Sequence, residues 1–196
     1  MSKTAPDPRS WDAWHGTHQP FELGWWREHL PKGHCEDPGF SQMWDEYKAF
    51  IEPRGHVVDI GSGPRPPFAP HCTVIEPLAD DYRRLPSVRP EWWRGVTIHA
   101  RPAENRVLDL KGDTIICWNA LDHAIGWRDI LDNMLAYGAP GARFALSTDF
   151  WPPFDGHPGF PREEFEAEVA QRFRVVKSRG KINDSWRELS LIMEAK

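Results

Sequence analysis

The residues best suited to chemistry lie in two short segments. Val57-Val58-Asp59-Ile60 is an apolar, β-branched run with an acid near its end, and Gly61-Ser62-Gly63 follows at once. Glycine has no Cβ, so it enters positive φ freely and lets backbone amides approach a ligand closely. Glu76 ends the next such run, Thr73-Val74-Ile75-Glu76, fifteen residues after Gly61. A carboxylate at that strand end is placed to accept hydrogen bonds from a ribose diol. A Gly-x-Gly pair alone reads equally well as a tight turn. The second acid, at the matching strand end, tips the reading towards a nucleotide-like ligand.

The elements that must position these acids follow from hydrophobic patterning. Strands are expected at 56–60, 73–76, 96–100, 113–118 and 142–147, and a last pair at 174–177 and 188–193. Trp127, Ile130, Leu131, Met134 and Leu135 recur at helical spacing, which predicts a helix to Tyr137 with Gly138 at its C-terminal end. Ser41 is the expected cap of a helix running to Ile51, stopped by Pro53 and Gly55. Pro161, with Glu163 and Glu164 behind it, opens a further helix whose Phe165, Val169 and Phe173 share a face. The seven residues 178–184 are too few for a crossover helix, so the last two strands form an antiparallel hairpin. The earlier strand-helix alternation implies parallel pairing.

Composition bounds the rest. A chain of 196 residues suits one domain, and 40% hydrophobic residues with 24 aromatics fill a core without staples. Three scattered cysteines make no disulfide framework, and the expected compartment is the cytoplasm. No run approaches the ~20 apolar residues of a membrane span, and the N-terminus does not read as a signal peptide. A net charge of −5, with cations interspersed among acids, argues against a nucleic-acid footprint. Five of the 11 tryptophans fall within the first 44 residues. The expected organisation is a disordered tail at 1–10, a Trp-rich helical cap or lid at 11–52, and a main domain at 53–196.

Taken in order, these motifs resemble the class I S-adenosylmethionine-dependent methyltransferases. The resemblance runs from about His56 to Ala195. Val58-Asp59-Ile60-Gly61-Ser62-Gly63 matches the first motif and Val74-Ile75-Glu76-Pro77-Leu78 the ribose motif. Ala100 to Glu104 matches the segment beside the adenine, and Asp113 to His123 the fourth strand and its loop. The antiparallel closing hairpin is a further family feature. The fold so implied is α/β, a three-layer Rossmann-like methyltransferase fold. Its seven-stranded sheet is mostly parallel, with a C-terminal antiparallel hairpin and an N-terminal helical cap. The implied cofactor is S-adenosyl-L-methionine, held by Asp59, Gly61, Ser62, Gly63, Glu76, Pro77, Ala103, Glu104 and Asn119. One departure stands out. The family places a helix after the Gly-rich turn, but here residues 64–72 carry four prolines and cannot form one. Backbone amides, Arg65 and the acids are left to do more of the binding.

The reaction implied is in-line transfer of a methyl group to a small-molecule acceptor. His123 follows the fourth strand, where the acceptor pocket of this fold lies, and is the candidate base. Trp26, Asp122, Asp149 and His157 are candidate acceptor-site residues. Trp25 and Trp26 read either as rings facing a sulfonium or as core anchors. His15, His18, His29, His34 and Cys35 match no closed four-ligand spacing, so no metal is expected. Trp151-Pro152-Pro153-Phe154 is similar to a DNA amino-methyltransferase signature but follows the wrong strand for it. The competing class is a non-catalytic S-adenosylmethionine or nucleotide-binding module with a degenerate first helix.

Overall fold

Strands buried on both faces read as unbroken apolar runs, because successive side chains point to opposite sides of a sheet. In β1 (Val57–Ile60), Val58 and Ile60 enter one core cluster and Val57 the other. In β4 (Gly112–Trp118), Ile115 and Cys117 alternate in the same way with Ile116 and Trp118. The computed structural model describes residue 11 and residues 14–150, 157–183 and 186–196. The expected tail at 1–10 and the Trp151-Pro152-Pro153-Phe154 segment lie outside them.

The remaining strands are β2 (Cys72–Ile75), β3 (Thr97–His99), β5 (Gly138–Thr148), β6 (Phe173–Asn183) and β7 (Trp186–Ala195). They form one sheet in the order β3-β2-β1-β4-β5-β7-β6. The first five are parallel, and β7 runs antiparallel to both β5 and β6. The hairpin is longer than the sequence implied. Residues 178–183, expected in its loop, continue β6 and pair with β7 as far as Asn183 opposite Trp186. Polar residues on an exposed edge strand carry no burial signal, so the pattern alone stops short.

Among the described residues four longer helices complete the layers: α1 (Gln19–His29), α2 (Pro38–Ile51), α3 (Trp127–Tyr137) and α4 (Arg162–Arg172). On one face, α3 buries Trp127, Ile130, Leu131 and Met134, and α4 buries Phe165 and Val169, against β1, β4 and β5. Arg128 of α3 bridges Glu164 and Glu168 of α4. The other face is covered by the N-terminal segment, with Leu30, Cys35, Phe50 and Ile51 packed on Val57, Val74, Ile116 and Trp118.

One local expectation shifts and two hold. The cap of α2 is Asp37, whose carboxylate accepts the Gly39 amide at 2.7 Å, and not Ser41. Pro38 lacks an N–H and presets φ, so the helix starts four residues earlier than a Ser41 cap implies. Gly138 stands at the C-terminal end of α3 as expected, in extended rather than left-handed backbone. Its φ is −65° and β5 begins there. A Cβ on it would stand 2.5 Å from the Phe144 ring, so the glycine serves close packing. Between β1 and β2 the Pro-rich stretch forms no helix, as its prolines dictate.

Candidate functional site

The turn after β1 and the acid after β2 are built as one unit. Gly61 adopts φ +73° and its amide donates to Ile75 O at 3.0 Å. A Cβ there would stand 2.2 Å from the Ala120 methyl, so the loop after β4 closes directly on this glycine. Gly63, at φ +65°, donates its amide to Glu76 Oε2 at 3.2 Å, and Leu78 donates to Glu76 Oε1 at 3.0 Å. An ionised carboxylate offers about four acceptor sites. Two are used here, which leaves one on each oxygen for a diol. This acceptor pattern fits a ribose.

A cleft opens beside this unit, beyond the C-terminal ends of β1, β2 and β4, where open α/β sheets bind ligands. It encloses roughly 750 Å³, its open mouth included. Ile60, Gly61, Gly63, Ile75, Glu76 and Pro77 form one wall. Pro102, Ala103 and Glu104 form a second, and Asn119, Ala120 and His123 a third. Asn133 of α3 fixes the second wall by donating to Ala103 O at 2.8 Å and Glu104 O at 3.0 Å. The cap supplies Trp14, His18, Gln19 and Glu22. Glu22, Glu76 and Glu104 are the acidic lining residues, and among the described residues no lysine or arginine lines the cleft.

Burial dominates the electrostatics. Glu76 is pushed up to about 7 by burial, against the amides of Leu78 and Gly63 that favour its charge. Asp59 lies beneath the turn, and burial, then the neighbouring Glu76, push it up to about 8. Its Oδ2 has no hydrogen-bond partner among the described residues. Burial also raises Glu104. Two adjacent buried acids disfavour each other's charge, and a cation in the cleft would relieve both.

At the far end stands a second group. Asp122 and His123 share the short turn Leu121–His123 that follows β4. Asp122 Oδ2 accepts from His157 Nδ1 at 2.8 Å, and the His157 and His123 rings lie 4.0 Å apart. His123 Nε2 is 4.0 Å from Asp122 Oδ2, and its Nδ1 is 3.9 Å from Glu22 Oε2 on the cap. Burial alone would raise Asp122. The facing imidazoles outweigh it and hold the carboxyl below its usual range.

The structure thus brings Gly61, Gly63, Glu76, Pro77, Ala103, Glu104, Asn119 and His123 to one cleft. Asp59 lies behind its wall. Ser62 is buried, with its hydroxyl turned to Gly63 O at 3.3 Å. Asp122 and His157 sit behind His123 and do not line the cleft. Trp26 lies over the turn, its Cζ2 3.8 Å from where a Gly63 Cβ would be, and its indole N–H donates to Glu22 at 2.7 Å. Asp149 follows β5 and, with Glu188, bears on the Tyr47 phenol, away from the cleft. Arg65 is turned away altogether. Its guanidinium donates to Cys35 O and stands 5.4 Å over Trp92, in a separate groove. Sequence reasoning missed Trp14, His18, Gln19, Glu22, Tyr82 and Asn133. An irregular aromatic segment gives no register, so nothing local marked which cap residues turn inward.

Neither a protein-family profile nor a curated protein sequence matches the chain. Solved structures do. The N-methyltransferase NodS from Bradyrhizobium japonicum WM9 superposes with a TM-score of 0.63 at 16% identity, over 82% of this chain and 98% of that one. The glycopeptide N-methyltransferase MtfA gives 0.60 at 12% identity, over 80% and 90%. A S-adenosylmethionine-dependent methyltransferase from Clostridium acetobutylicum ATCC 824 gives 0.55 at 10% identity, over 79% and 90%. NodS has been solved with S-adenosyl-L-homocysteine, and MtfA with S-adenosyl-L-methionine and with sinefungin. The sheet order, the antiparallel closing hairpin and these likenesses together give this chain the class I S-adenosylmethionine-dependent methyltransferase fold.

Proposed function

We propose that this protein is an S-adenosylmethionine-dependent methyltransferase acting on a small-molecule acceptor. The observation that carries the reading is the acidic lining of the cleft. It holds the acid that follows β2, two further glutamates and a buried aspartate behind, and among the described residues no lysine or arginine lines it. A cation in the cleft lets these acids ionise, so the wall favours a cofactor with a sulfonium and an ammonium group over a phosphate-bearing one. Glu76 takes the ribose diol. Pro102, Ala103 and Glu104 flank the adenine, and the Gly61-Ser62-Gly63 turn and Asn119 border the methionine part. Asp59 supports the turn from behind.

S-adenosylmethionine, when bound, supplies a methyl group on a positively charged sulfur, which leaves as a neutral thioether. The protein therefore has no new anion to stabilise. Its work is alignment, exclusion of water and removal of a proton from the acceptor. Trp14, His18 and Glu22 on the cap close the cleft from above. His123, at the cleft's edge with Asp122 and His157 behind it, marks where the acceptor's proton is taken up. NodS and MtfA are N-methyltransferases by name. An amine suits an acid-lined cleft, since it arrives as a cation. The buried, free cysteines fit a reducing cytoplasm. Among the described residues no helix is long and apolar enough to cross a membrane.

Calorimetry with S-adenosylmethionine and S-adenosylhomocysteine tests the cofactor. Methyl transfer to a panel of small amines and alcohols then tests the reaction. Absence of binding by either ligand would sink the reading. Binding with no transfer to any acceptor would favour a non-catalytic module.

A further inference from the structure

We propose that Asp122, His123 and His157 hold one divalent transition-metal ion, zinc or an ion of similar ligand preference, beside the cleft. The three residues come from the turn after β4 and from the segment after β5, and only the fold brings them together. One ligand atom from each lies within 4.8 Å of the others. A tetrahedral site at zinc bond lengths needs separations of about 3.3 Å, so the side chains draw in by up to about 1.5 Å.

Three observations point to an ion. First, Asp122 is 1% exposed, yet its Oδ1 has no hydrogen-bond partner among the described residues. A buried carboxylate oxygen left without a partner calls for an explanation, and an absent ion is one. Second, two imidazoles face the same carboxylate. With one cation between them, both rings stay neutral and offer lone pairs. His157 does so at Nδ1 by carrying its proton on Nε2. Third, His123 has a carboxylate on each side. Its Nε2 faces Asp122, and its Nδ1 faces Glu22 at 3.9 Å. A metal-bound histidine commonly has a carboxylate behind its second nitrogen, which fixes the ring's tautomer.

Two imidazoles and one carboxylate favour zinc, iron(II), cobalt or nickel over magnesium or calcium. Three protein ligands leave a fourth position for water or substrate. His123 lines the cleft, so that position is adjacent to it. An acceptor hydroxyl or amine bound there would be polarised and lose its proton more readily. His123 would then act as a ligand. Binding of the ion does not rest on the methyltransferase reading, whereas its use in transfer does.

The experiment uses the untagged full chain, stripped with EDTA and dialysed against Zn²⁺ or Co²⁺ alone. Metal content is counted by mass spectrometry, and Co²⁺ geometry is read from its visible absorption. The expected result is about one ion per chain with a four-coordinate cobalt spectrum. His157→Ala and Asp122→Asn should lose it, and Glu22→Gln should weaken it by about 10–100-fold. If Asp122→Asn does not fold, His123→Gln takes its place. No retained ion in the wild type overturns the proposal. So does undiminished binding in His157→Ala and His123→Gln, which would place the ion elsewhere, among the histidines of the cap. Calorimetry with S-adenosylhomocysteine runs in parallel. Nucleoside binding without metal sinks only the metal site, and metal without nucleoside binding sinks only the methyltransferase reading.

Discussion

Glu76 Oε2 accepts the Gly63 amide across 3.2 Å, so the acid that follows β2 also fastens the turn that follows β1. Ligand site and turn geometry are therefore one construction. Glu76→Ala should weaken S-adenosylmethionine binding by about tenfold or more, the loss expected of a charge-assisted hydrogen bond. Calorimetry on a variant with a wild-type circular dichroism spectrum checks this. Unchanged affinity would remove Glu76 from the site.

Stability of the ligand-free protein should fall as pH rises. Asp59 and Glu76 are pushed up to about 8 and about 7, chiefly by burial. In the unfolded chain both ionise near pH 4. The folded chain thus holds protons that the unfolded chain has lost. Their stabilisation is complete below about pH 4 and is gone once pH passes about 7 to 8. Melting temperature should drop between about pH 5 and about pH 8. Asp59→Asn, neutral throughout, should flatten part of that slope and raise Tm at high pH by about 2–4 °C for each kcal/mol recovered. An identical slope in the variant would count against a protonated Asp59.

Gly61 and Gly24 make a controlled pair. Gly61→Ala meets the Ala120 methyl and a positive φ, and should destabilise by roughly 1–3 kcal/mol. Gly24, within α1, has nothing within 4 Å of its Cβ position, and Gly24→Ala should gain roughly 0.5–1 kcal/mol. Urea melts of the two variants decide the matter, and the signs should be opposite.

The segment 11–51 should gain hydrogen-exchange protection when S-adenosylhomocysteine binds, most of all around Trp14 to Glu22. Those residues line the cleft, while Phe50 and Ile51 are already locked on the sheet and should change little. Equal protection with and without ligand would make the segment a fixed layer and end the lid idea.

His123→Ala should lower turnover by roughly 10²–10⁴ while S-adenosylhomocysteine affinity stays within about threefold. Turnover close to wild type on the true acceptor would remove His123 from the reaction.

Much of the fold was legible because burial on both sheet faces leaves apolar runs that no turn or solvent-exposed helix shows. Val57 to Ile60 and Ile115 to Trp118 declare themselves strands, and Trp127 to Tyr137 a helix with those bounds. The placement of the acids at 59 and 76 near the strand ends was legible from chain position alone, since strand ends are fixed by the runs before them. The sequence also determined that no helix follows Gly63, because proline forbids it. What it left open depends on contacts between distant segments. His157 reaches Asp122 from 35 positions away, and Glu22 reaches His123 from 101. No local pattern encodes such meetings. Arg65 had the right charge and place in the chain, yet packing turned it towards Cys35 and Trp92. Local propensity sets the strands and their ends, whereas the orientation of long polar side chains is decided by which neighbours the packed layers bring within reach.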